Sequence, residues 1–68
     1  MTKEQFQKMW KKWLVDVDKS EAEIARENGM FQQNLNAKIK NGSMKYVELS
    51  EIVEKYGYTI EIQKNNQK

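Results

Sequence analysis

Three glycines and no proline punctuate this 68-residue chain, and each glycine follows a segment whose apolar residues recur at helical spacing. The stops fall at Asn28-Gly29, Asn41-Gly42 and Tyr56-Gly57, which divides the chain into a succession of short helices. The first is expected from Thr2 to about Asp16. Phe6, Met9, Trp10, Trp13, Leu14 and Val17 line one face of it, Lys8, Lys11 and Lys12 lie opposite, and Thr2 with Gln5 has the spacing of a capping box.

The second segment opens with Ser20-Glu21-Ala22-Glu23, a capping box in which Ser20 and Glu23 each satisfy an orphan amide. It carries Ile24 and Ala25 inward and stops at Asn28-Gly29. At about two turns it is marginal in isolation and must be held by neighbours. A third helix is expected from Phe31 or Gln32 to Lys40, with Leu35 and Ile39 facing inward. A fourth is expected from Met44 or Lys45 to Tyr56, capped by Ser43. Its inner face is Tyr46, Leu49, Ile52, Val53 and Tyr56, and its outer ridge is Glu48, Glu51 and Glu54.

Beyond Gly57, Tyr58, Ile60 and Ile62 alternate with Thr59, Glu61 and Gln63, a period of two that reads as a single strand. A lone strand leaves its backbone groups unpaired, so it is expected to pair with the same strand of a second copy about a two-fold axis. The other reading is an extended tail in which Tyr58 and Ile60 cover the bundle. Residues 64–68 are expected to form a disordered polar tail. The expected fold is all-α, a compact four-helix domain with a short C-terminal β-strand that pairs across a homodimer.

A domain this small buries only about 60% of the surface its unfolded chain exposes, and such chains often recruit disulfides, a metal or a partner subunit. With no cysteine and no histidine, disulfides, iron–sulfur clusters and thiolate zinc sites are excluded, and the usual general base at neutral pH is missing. No nucleophile–base pair or metal cluster can be assembled, so no enzyme, cofactor or small-molecule substrate is expected. Asp16 with Asp18 lacks the further oxygen ligands a cation site needs. No apolar run approaches the roughly eighteen residues of a membrane span, and there is no signal-peptide pattern, so a cytoplasmic chain without membrane contact is expected. A net charge of +2 permits nucleic-acid binding without demanding it, and the distribution of charge has to decide.

Ser20 to Gly42 is the informative stretch. Two short helices joined by a tight glycine-containing turn match helix-turn-helix geometry, in which the second helix enters the major groove. Ala25 is small where the helices approach, Gly29 supplies the positive φ of the turn, and Ile24, Met30, Leu35 and Ile39 supply the inward contacts. At these residues the chain resembles the Cro and lambda-repressor-like helix-turn-helix family, and is most similar to small phage and plasmid members in which a short helix and a strand follow the motif. Asn28 stands where that family usually has an apolar residue, Phe31 replaces the usual Ser or Thr cap of the recognition helix, and Ile39 falls one residue late. The resemblance implies a DNA-binding domain over residues 1–63, with its motif at about 20–42. It implies a sequence-specific regulator of transcription, a repressor in the first instance, that reads double-stranded DNA with the helix at about 32–40.

From Phe31 to Val47 three lysines (Lys38, Lys40, Lys45) meet no acid, a local charge of +3, whereas 16–27 and 48–61 each carry −3 (five acids against Lys19 and Arg26; four against Lys55). The third helix is rich in amides, and Gln or Asn can pair two hydrogen bonds with an adenine edge. By the family analogy Gln32, Gln33 and Asn36 reach base edges, and Ala37 touches a thymine methyl. Lys38, Lys40, Asn41, Ser43 and Lys45 suit phosphates, as does the helix N-terminus near Ser20. Trp10 and Trp13 could stack on single-stranded bases, but their spacing with Phe6 and Val17 makes them core residues first. A second reading keeps the scaffold without the DNA: a protein-interaction module, such as an antirepressor or an accessory subunit of plasmid transfer or phage machinery. The two acidic segments leave it open.

Overall fold

The N-terminal periodicity becomes α1 (Lys3–Val17) in a computed structural model that describes residues 1–60. Gln5 N–H donates to the Thr2 hydroxyl at 3.0 Å and Thr2 N–H donates to Gln5 Oε1 at 2.9 Å, so two orphan donors are satisfied reciprocally. The helix ends on Asp18, whose left-handed backbone (φ 56°) returns its N–H to the Leu14 and Val15 carbonyls. Aspartate tolerates that conformation better than most residues. Phe6, Trp10 and Trp13 are buried, Leu14 and Val17 are packed against them, and Met9 stays 39% exposed at the edge of the stripe.

In α2 (Glu21–Glu27) the expected capping box forms, with Glu23 N–H on Ser20 Oγ at 3.2 Å and Ser20 N–H on Glu23 Oε1 at 2.9 Å. Gly29, at φ 69°, turns the chain, and Met30 N–H closes the turn on the Ala25 carbonyl at 2.8 Å. Then α3 (Gln32–Asn41) packs across both α1 and α2. Ile24 and Leu35 expose nothing and Ala25 only 1%, so the close approach of α2 and α3 depends on a residue with no more than a methyl group.

The last helix, α4 (Tyr46–Glu54), starts later and stops earlier than its pattern predicts. Ser43 does not cap it. Gly42 is left-handed (φ 63°) and Ser43 N–H returns to the Lys38 carbonyl at 3.0 Å, so Ser43 finishes α3 instead. Lys45 takes the cap position with no side-chain hydrogen bond. Tyr46, expected inside, is half exposed and donates its hydroxyl to the Ile60 carbonyl at 2.9 Å.

One cluster forms the core: Phe6, Trp10 and Trp13 of α1, Ile24 and Ala25 of α2, Leu35 and Ile39 of α3, and Ile52 and Val53 of α4. Trp10 and Trp13 are interior, their ring centroids 5.2 Å apart, and Trp13 takes edge contacts from Tyr56 and Tyr58 at 5.6 and 5.9 Å. Tyr58 and Ile60 thus lie against the bundle, and no strand forms among the described residues. Ile62 and the 64–68 tail lie outside them. The described residues make an all-helical, four-helix domain, and none of the helices is long and apolar enough to cross a membrane.

Candidate nucleic-acid interface

With Leu35 and Ile39 committed to the core, the helical repeat turns the rest of α3 outward. Gln32, Gln33, Asn34, Asn36, Ala37, Lys40 and Asn41 are all exposed, with Gln33, Ala37 and Lys40 on the side opposite Leu35. No acid occurs within α3, and its first turn is made of amides. The face combines paired donors and acceptors, one methyl and one free ammonium.

Asn36 is oriented from behind. Its amide donates to Glu21 Oε2 at 3.1 Å, while Glu21 Oε1 accepts the Trp10 indole N–H at 3.0 Å. One carboxylate therefore ties a buried residue of α1 to an outward residue of α3. Asn36 keeps its carbonyl oxygen and one amide hydrogen, the pair an adenine edge requires. The end of the helix is also held from α1, because Gln7 Nε2 donates to the Lys40 carbonyl at 2.8 Å. The Lys40 side chain remains exposed.

The expected phosphate ligands divide. Lys40, Asn41, Ser43 and Lys45 are exposed along the end of α3 and the loop after it. Lys38 is not free: its ammonium is bound to the Glu48 carboxylate of α4, and that bond holds the Glu48 carboxyl below its usual range. Glu48 thus leans toward α3 rather than standing on an outer ridge. Ser20 has its N–H and hydroxyl engaged by Glu23, and Glu21 and Glu23 already occupy the positive end of α2. The Ser20 backbone N–H, donating to Glu23, also holds that carboxyl low.

Three residues take on contacts or exposure that the sequence does not signal, two of them marked there only as departures from the family pattern. Asn28, in place of an apolar residue, donates to the Ile24 carbonyl at 2.7 Å and to the Tyr56 hydroxyl at 3.4 Å, fastening the turn to the end of α4. Tyr56 in turn donates to Glu27 Oε1 at 2.7 Å, and Lys19 reaches the other Glu27 oxygen at 3.0 Å. Burial, and then the carboxylate beside it, push the Tyr56 phenol above its ordinary value; the phenol's hydrogen bond, and then the Lys19 one, hold the Glu27 carboxyl low. Glu21 is the second; in the sequence it is only a residue between the capping pair Ser20 and Glu23. Phe31 is the third. It takes the N-cap position of α3 with no side-chain hydrogen bond and is 77% exposed.

An open groove runs beside α3 between the turn and α4, bordered by Phe31, Asn34 and Ala37 on one side and Glu51, Ile52 and Lys55 on the other. Among the described residues no cluster of three or more acidic side chains is placed to hold a metal ion. No family model, no curated protein and no solved structure matches this chain.

Proposed function

We propose that this chain is a sequence-specific double-stranded DNA-binding regulator of the Cro and lambda-repressor-like helix-turn-helix type, with α2 and α3 as its motif and α3 lying in the major groove. The observation that carries the reading is the outer face of α3, to which the helix itself contributes no acid, anchored by Leu35 and Ile39 and presenting Gln32, Gln33, Asn36, Ala37 and Lys40. Exposed Gln and Asn side chains can each pair two hydrogen bonds with an adenine edge. Lys40 and Lys45, with Asn41 and Ser43, would touch phosphate on one flank. A dimer would set two such helices about 34 Å apart on a pseudo-palindromic site, and occupancy of a promoter would itself block polymerase.

The test begins with mixed duplex at low salt and continues with selection of bound duplexes from a random pool. With Lys40 and Lys45 from each of two subunits, log K should fall by about 4 for each tenfold rise in salt. Gln33→Ala or Asn36→Ala should relax base preference, and Lys40→Ala should weaken all sequences alike. Equal losses on selected and random DNA for all three variants contradict the assignment. One observation favours a protein-interaction module instead: Glu48 and Glu51 of α4 stand beside α3 and partly offset its lysines. No binding to duplex even at low salt would support that reading.

A further inference from the structure

Within residues 20–42 Phe31 is the one large apolar side chain left exposed, and neither packing nor capping accounts for it. A Ser, Thr, Asp or Asn at the same position would close one of the open amides at the start of α3, which Phe31 leaves without a side-chain partner. Its direction is set by the turn. Gly29 is left-handed, Met30 is drawn inward with its N–H on the Ala25 carbonyl, and Phe31 projects outward immediately before Gln32. The first turn it adjoins carries no carboxylate, and the acids of the groove it borders, Glu48, Glu51 and Glu54, all belong to α4 on the far side.

We propose that Phe31 is a specificity-determining residue that seats its ring against the 5-methyl group of a thymine at the edge of the sequence read by α3. This rests on the DNA-binding reading above and names the base that reading leaves open. In a helix-turn-helix complex the residues at the start of the second helix meet base edges, and thymine alone presents an apolar group in the major groove. A phenyl ring has no hydrogen bond to offer there and discriminates by covering that methyl. Ala37, one methyl wide and on the outer face, is too short to do the same for a base beyond the end of the helix.

The experiment takes the duplex most enriched from a random pool by the wild-type protein and replaces each thymine in turn by deoxyuridine, which lacks only the methyl. Binding is measured for wild type, Phe31→Ala and Phe31→Ser, with circular dichroism to verify that all three are folded. At one thymine per half-site the replacement should weaken wild type about four-fold, as expected for uncovering one methyl group. The same replacement should leave both variants within measurement error, while they keep their preference at the other positions. An enriched motif in which no deoxyuridine position separates wild type from the variants overturns the role of Phe31 and leaves DNA recognition intact. Failure to enrich any motif removes both.

Discussion

Removal of the Glu21 carboxylate is the sharpest test of how α3 is held. In Glu21→Ala the indole N–H of Trp10, a residue only 2% exposed, loses its acceptor at 3.0 Å. An orphaned buried donor costs about 1–3 kcal/mol. Loss of an acid from the first turn of α2 adds roughly 0.5 kcal/mol through the helix dipole. The total, about 2 kcal/mol, is a large part of the roughly 3–10 kcal/mol that a domain of this length commands. It should lower the melting temperature by about 8–16 °C. Glu21→Gln keeps an acceptor for the indole but loses the charge and the second oxygen, which takes the exposed Asn36 amide, so its melting temperature should fall less, by roughly 2–4 °C from the charge. Urea and thermal unfolding, followed by far-ultraviolet circular dichroism and tryptophan fluorescence, separate the two. Equal falls in both variants would refute the account, because they would make the charge, not the orphaned indole, the source of the loss.

Other outcomes follow from the same contacts. Leu35→Ala should destabilise by about 3 kcal/mol, since Leu35 has no exposed surface and its removal leaves a cavity in the core; a change below 1 kcal/mol in urea unfolding would contradict this. Gly29→Ala should cost about 1–2 kcal/mol from backbone strain alone, because φ is 69° and an added Cβ meets nothing within 4 Å. A neutral effect in the same assay would mean that the turn relaxes. Tyr56 titrates above its ordinary value in the folded chain, so the stability linked to it is intact below pH 10.0 and is lost as pH rises through the folded value. Melting temperatures of wild type should therefore fall more steeply above that pH than those of Tyr56→Phe, and parallel curves would refute the linkage.

Where one local rule governs a residue, the sequence was sufficient. Thr2 and Ser20 cap their helices because a hydroxyl three residues ahead of a Gln or Glu can form reciprocal bonds without help from the rest of the fold. Phe6, Trp10 and Trp13 are inside because no other face of α1 is apolar. Ser43 shows where such a rule fails. It stands equally well as the end of α3 or the start of α4, and the left-handed Gly42 before it decides for α3. Tyr46 has the spacing of a core residue, but its hydroxyl finds the Ile60 carbonyl at the surface, a contact that depends on where the chain goes after Gly57.

The candidate interface was legible in its outward residues and illegible in its supports. The exposed amides of α3 follow from the positions of Leu35 and Ile39, which periodicity alone locates. The pairing of Lys38 with Glu48, of Asn36 with Glu21 and of Asn28 with Tyr56 joins residues of different helices, and no spacing along the chain encodes them. Counting charge by segment therefore treated Lys38 as a free cation, although the balancing acid begins the next segment.

The two bonds from α1 to α3, one through Glu21 to Asn36 and one from Gln7 to the Lys40 carbonyl, have a mechanical consequence. They tie α3 at its middle and near its end, and so oppose rolling about its long axis and sliding lengthwise against α1. On the DNA-binding reading proposed above, a duplex would meet teeth already cut to a fixed pitch, with selectivity decided before contact rather than by adjustment afterwards.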